Sequence, residues 1–169
     1  MARARQVPAQ PSRLSGQVVK TLREGALWVF AALAIILWFA LFTYDPSDPG
    51  FSRAGSSGDI SNGVGRFGAL LADLLFNLFG RPAYLFTVMV FYFGWMIFRE
   101  HKIAEDYTRA DYSLRFGGFV AALVSSCALA TLHFSPAGFN ETAGGIVGQI
   151  VGNNLAEVMK LLGASVLLF

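Results

Sequence analysis

Residues Gly25 to Tyr44 read GALWVFAALAIILWFALFTY, twenty positions without a charge, and this stretch decides the fold. At about 1.5 Å per residue, a helix of that length spans the roughly 30 Å hydrocarbon layer of a bilayer. The residues before it, 1–24, carry Arg3, Arg5, Arg13, Lys20 and Arg23 against Glu24 alone, and a basic start also suits a secretory leader. The apolar run is longer than the roughly 7–15 residues of a leader's core. It is followed by Tyr44-Asp45-Pro46-Ser47-Asp48-Pro49 rather than by a small-residue cleavage site. Residues 25–44 are therefore read as a retained span and 1–24 as a basic cytoplasmic tail, in which Pro8 and Pro11 discourage helix.

Composition agrees. The 169 residues make about one domain. Hydrophobic residues are 54% of the chain and charged residues 14%, against about 25% charged in soluble domains. Sixteen Phe and three Trp add bulk that a small water-soluble core could not hide, so a bilayer is the expected solvent. A net charge of +2 points to no nucleic-acid partner. Cys127, the single cysteine, lies in an apolar run and reads as a packing residue.

Charge gaps place the other spans. Residues 82–98 form a second uncharged run, with Trp95 near its end at headgroup depth, and Phe116 to Asn140 a third, read as a span over about 115–134 closed by Pro136. Leu161 to Phe169 begins a fourth that is too short to cross, which reads as a span continuing past the end of this fragment. The expected fold is all-α: a polytopic transmembrane helical bundle occupying 25–169, with four spans, the last truncated, and interfacial helices outside. Loops 45–81 and 135–160 fall on one side and the charged loop 99–114 on the other. The tail and the 99–115 region hold nine of the thirteen Lys and Arg residues. The positive-inside rule puts both in the cytoplasm, leaving Arg53, Arg66, Arg81 and Lys160 on the opposite side.

Residues 66–79 carry a helical pattern. Asn62, Arg66, Asp73 and Asn77 share one face, while Leu70, Leu71, Leu74, Leu75, Leu78 and Phe79 cover the rest, and Gly80-Arg81-Pro82 ends the helix. A surface helix with its Leu and Phe residues in lipid is expected, and the stripe Arg66, Asp73 and Asn77 is the candidate partner surface. A shift of 83 residues aligns Gly65 with Gly148 and Gly80 with Gly163, suggesting two hairpins built alike. On the third span, Gly117, Ala121 and Ser125, and beside them Gly118, Ala122 and Ser126, recur every fourth residue. Small residues at that spacing let helices approach closely, within the bundle or between subunits.

No catalytic chemistry is visible. A phosphate-binding loop needs Lys directly after Gly, and Lys20, Lys102 and Lys160 follow Val19, His101 and Met159. His101 and His133 have no ligand partner at metal spacing; His133 reads as structural, with a pH sensor as the sharper alternative. No catalytic, cofactor or metal residue is assigned, and no cofactor is expected in this segment. Nearly clean spans also argue against a small multi-span transporter or channel, the alternative reading.

Several stretches resemble the N-terminal four-helix membrane domain of FtsK/SpoIIIE-type DNA translocases. They are Tyr44-Asp45-Pro46-Ser47-Asp48-Pro49, Gly65-Arg66-Phe67-Gly68-Ala69, Leu71-Ala72-Asp73-Leu74-Leu75-Phe76, Leu78-Phe79-Gly80, Ala83-Tyr84-Leu85, Gly94-Trp95 and Gly144-Gly145-Ile146-Val147-Gly148. The resemblance implies an inner-membrane anchor, enriched at the division septum, that joins membrane proteins of the cell-division machinery. It further implies a hexameric assembly and an ATP- and Mg-dependent DNA motor beyond a linker, coupling cytokinesis to chromosome segregation. Linker and motor are absent from this sequence, so DNA contact and turnover belong to the inferred longer protein.

The topology is tested by single cysteines in a Cys127→Ser background. Ser56→Cys and Asn140→Cys should react with an impermeant thiol reagent added to intact cells, and Ser12→Cys and Thr108→Cys should not. Labelling at 12 and 108 instead inverts the topology.

Overall fold

A computed structural model of the chain describes residues 13–51, 60–99, 109–135 and 142–168. The tail residues 1–12, the loop residues 100–108 and Pro136 and Asn140 lie outside the described residues. Five helices follow in order: α1 (Arg13–Phe42), α2 (Gly65–Phe79), α3 (Leu85–Arg99), α4 (Arg109–His133) and α5 (Gly145–Leu168), with a 3-10 turn at Arg81–Tyr84 before α3. The described residues contain no strand, and the fold is an all-α bundle.

Three segments are long and apolar enough to cross a membrane: Gln17–Phe42, Arg81–Arg99 and Ser113–His133. They lie over the first three uncharged runs, α1 beginning earlier than the charge gap indicated. Their outward surfaces carry Trp28 at 75%, Ile35 at 66% and Val88 at 63% exposure. So continuous an apolar exterior is stable in lipid and not in water.

Two pairs dominate the packing, α1 with α3 and α4 with α5. Gly94 lets α3 close on α1, since a Cβ there would stand 2.5 Å from the Phe30 Cβ. The α4–α5 contact uses Gly144 and Gly148, which press on the Cys127 carbonyl and the Thr131 hydroxyl, and Gly152, which meets Ala128. This is a small-xxx-small approach, and it is not made by the small-residue face expected on the third span. Within the chain, Gly117, Gly118, Ala121 and Ala122 are exposed, and a Cβ on either glycine would meet nothing within 4 Å. Ser125 and Ser126 are half-buried. The inward face of α4 is set by the larger buried residues Leu123 and Cys127 and by Ala130, one position round from the small-residue stripe.

The centre of the bundle is the cluster Leu41, Ala72, Leu75 and Ala83. Around it aromatic rings run from helix to helix: Tyr44 on Phe76 at 5.1 Å, Phe76 on Tyr84 at 5.7 Å, Phe79 on Phe86 at 4.9 Å and Phe86 on Phe119 at 5.9 Å. Offset and edge-on pairs at such distances contribute about 0.5–1.5 kcal/mol each beyond burial.

Both hairpins turn on a residue with positive φ. Gly80 ends α2 at φ 62, ψ −142, and Lys160 breaks α5 at φ 57, ψ 171. Each hairpin's surface helix also opens on such a residue, Gly65 at φ 74 and Gly145 at φ 64. Gly65 pairs with Gly145 and Gly80 with Lys160, so the structural repeat has a shift of 80 residues, correcting the 83 read from Gly and Leu matches. The first hinge touches the start of the second surface helix: the Arg81 N–H donates to the Ala143 carbonyl at 2.9 Å, and a Cβ on Gly80 would collide with that same carbonyl.

The hinges predict opposite responses. Gly80→Ala adds both a forbidden conformation and a clash, and should destabilise the chain in detergent by about 1–3 kcal/mol or more. Lys160→Gly removes the strain of a side chain at positive φ and should raise the melting temperature or leave it unchanged. A fall in melting temperature for Lys160→Gly removes the strained hinge.

Candidate interaction surface

The non-helical residues that follow α1 are closed by polar groups, and each can be traced to a sequence position. Asp45 accepts from the Ser47 N–H at 2.8 Å and the Ser47 hydroxyl at 2.6 Å, an Asx turn that starts the loop. The hydroxyl contact first, then the N–H, holds the Asp45 carboxyl below its ordinary range. This contribution is present above the unfolded carboxylate's titration and is lost as pH falls through the lowered one.

Asp48 is 6% exposed and accepts the backbone N–H groups of Ser61 and Asn62, both at 2.8 Å. It therefore ties the start of the loop to its end, fourteen residues on. Asn62, 4% exposed, donates its amide to the Ala40 carbonyl at 2.8 Å and more weakly to the Thr43 carbonyl at 3.4 Å, and accepts from the Val64 N–H at 3.0 Å. These carbonyls lie at the C-terminal end of α1, where a helix has no intrahelical donors left. The Gly63 N–H adds a bond to the Thr43 hydroxyl at 2.9 Å.

Asp73 is part of the same lock. It is 4% exposed, accepts from the Tyr44 hydroxyl at 2.8 Å, and lies under the backbone of Gly50, where a Cβ would stand 2.6 Å from the carboxyl carbon. This corrects the expected partner stripe. Arg66 is exposed and Asn77 half-buried, but Asp73 and its stripe neighbour Asn62 point inward. Outward, Phe67 is 72% and Leu70 38% exposed. The physical reason is burial: a carboxylate and an amide packed inside the bundle are held by hydrogen-bond partners there, Tyr44 for Asp73 and the end of α1 for Asn62. In the sequence, Tyr44 and Asp48 stand out only as part of the Tyr44–Pro49 run, and no local pattern links Asp48 to residues 61 and 62.

Cys127 is fully buried, its thiol donating to the Phe79 carbonyl at 3.4 Å, as its packing role requires. His133 lies 2.7 Å from the Ser165 hydroxyl, linking the end of α4 to the segment after the Lys160 break. Among the described residues, no three His, Cys, Asp or Glu side chains gather as a metal site.

Together these features define a class: a polytopic α-helical membrane domain whose buried polar groups fasten one loop. Residues 19–169 match the 4TM region of DNA translocase FtsK/SpoIIIE, and the chain belongs to that family. It is similar to the DNA translocase FtsK of Pseudomonas putida, 39% identical over 147 residues, covering 86% of this chain and 18% of that protein. The DNA translocases FtsK of Pseudomonas aeruginosa and Shewanella oneidensis are 33% and 35% identical, over 90% and 92% of this chain and 19% and 17% of theirs. The chain thus spans less than a fifth of the length of these curated relatives. No solved structure matches it.

The lock predicts a graded series. Tyr44→Phe should destabilise the detergent-solubilised chain by about 1.5–3 kcal/mol, the worth of a hydrogen bond to a charged group. Asp73→Asn, which keeps an acceptor, should cost less. Asp48→Ala leaves two backbone donors unpaired and should cost at least as much as Tyr44→Phe. Thermal unfolding of the three variants reports the order, and an unchanged Asp48→Ala removes that residue from the lock.

Proposed function

We propose that this chain is the inner-membrane anchor and assembly domain of an FtsK-type DNA translocase, and that no turnover chemistry resides in it. The observation that carries the reading is the match of residues 19–169 to the 4TM region, together with the small share of each relative that this region occupies. ATP with Mg, DNA and the motor would belong to the rest of the longer protein, which couples cytokinesis to chromosome segregation. The basic tail and the 99–114 loop would face the cytoplasm, and the chain would gather at the division septum.

The interior supports an anchor over a transporter. Among the described residues, buried Asp48, Asn62 and Asp73 bond to one another's segments and to the end of α1, and buried Thr87 in the second span gives its hydroxyl to the Tyr84 carbonyl, so no set of them lines a path along the spans. The exposed residues Arg66 and Phe67 then offer a surface to membrane proteins of the division machinery. Self-association, which the family implies up to a hexamer, would have an available face in Gly117, Gly118, Ala121 and Ala122.

A fluorescent protein fused to the N-terminal tail tests the reading in dividing cells. The parent should concentrate at mid-cell. Arg66→Ala with Asn77→Ala, at equal membrane level and with Asp73 left intact, should concentrate there less. A parent spread evenly around the membrane overturns the anchor reading. Enrichment that survives the double change rejects only this surface.

A further inference from the structure

A groove runs into the bundle between the start of α3 and the end of α4, with a volume of about 410 Å³. Its mouth is formed by Arg81 and Phe134, the guanidinium carbon standing 5.7 Å over the ring centroid. Below the mouth it is lined by Leu85 and Val88 on one side and Ser126 and Ala130 on the other. Seven or eight residues separate Arg81 from Val88 and Phe134 from Ser126, so the groove descends about 10–12 Å along the helices. The Ser126 hydroxyl is satisfied within α4 by the Ala122 carbonyl at 2.6 Å, leaving the walls apolar to an occupant.

The charge pattern is one-sided. Among the described residues no Asp or Glu pairs with Arg81, and no lining residue is acidic. Arg81 opens the second membrane-crossing segment and His133, beside Phe134, closes the third. The cation therefore stands at headgroup depth while Val88, 63% exposed, lies deeper on the lipid side. A planar guanidinium over an apolar slot matches a phosphate joined to an acyl chain. A zwitterionic headgroup would bring an ammonium that finds Arg81 and no carboxylate in the lining.

We propose that this groove is a specific site for one anionic phospholipid, its phosphate on Arg81 and one acyl chain along Leu85, Val88 and Ala130. The site goes beyond the anchor reading and holds whether or not the chain gathers at the septum. The lipid fills a surface depression that the chain's own side chains leave open. It also bridges α3 and α4, whose rings meet only through Phe86 and Phe119 among the described aromatic pairs.

The test is native mass spectrometry of the chain in detergent, titrated separately with dioleoylphosphatidylglycerol and dioleoylphosphatidylethanolamine. One phosphatidylglycerol per chain should be retained at lipid levels where phosphatidylethanolamine is not. Arg81→Gln should weaken phosphatidylglycerol retention about tenfold, the factor for loss of one charge-assisted hydrogen bond, while Arg81→Lys keeps the preference. Val88→Trp fills the slot without touching the charge and should lower retention of both lipids. Its site is mostly exposed, so it decides the matter if Arg81→Gln proves unstable. Equal phosphatidylglycerol retention in the parent and in Arg81→Gln or Val88→Trp overturns the proposal. So does a Val88→Trp change that leaves lipid untouched but shifts the oligomeric state, which would make a second copy the occupant.

Discussion

A helix that stops leaves carbonyl groups without donors, and where that end is buried no water reaches them. That constraint organises the fold. The end of α1 is closed in part by its own neighbours Thr43 and Tyr44 and in part by Asn62 and Gly63, some twenty residues downstream. Asn62 is in turn held by Asp48, so the loop must return before the helix is complete. The first turn of α2 and the last turn of α1 are thereby one construction. The Leu41, Ala72, Leu75 and Ala83 cluster can form only once they are joined.

The same constraint turns α2 round. Seen as a helix at a water interface, its Asp and Asn positions belong outside and its Leu positions in lipid. In the fold, Asp73 meets Tyr44 inside while Phe67 and Leu70 face out. A buried carboxylate with hydrogen-bond partners is tolerable, whereas one facing hydrocarbon without them is not. Amphipathic periodicity shows which residues share a face but not which solvent that face meets.

This explains what was legible. Three spans could be read from uncharged runs because length and charge alone set them, and Gly80-Arg81-Pro82 marked the end of α2 correctly. The Gly144 and Gly148 contact was harder to see, since small residues at fourfold spacing occur on both α4 and α5 and only the facing Cys127 and Thr131 decide between them. The break at Lys160 carries no glycine or proline, so no local signal announced it. The repeat register slipped by three residues for the same reason, with Gly163 taken for the hinge. The partner stripe lost Asp73 because its hydrogen-bond partner, Tyr44, is 29 residues away.

The contact between the first hinge and the start of α5 has a consequence for how the chain is made. The N–H of Arg81 finds its acceptor in Ala143, which belongs to the other hairpin and emerges some sixty residues later during synthesis. Until then the first hairpin enters the membrane with an open backbone donor at its turn. The Phe79 carbonyl likewise waits for Cys127. Neither hairpin is a finished unit on its own. The bilayer receives two incomplete halves, and the native bundle exists only after the second has closed over the first.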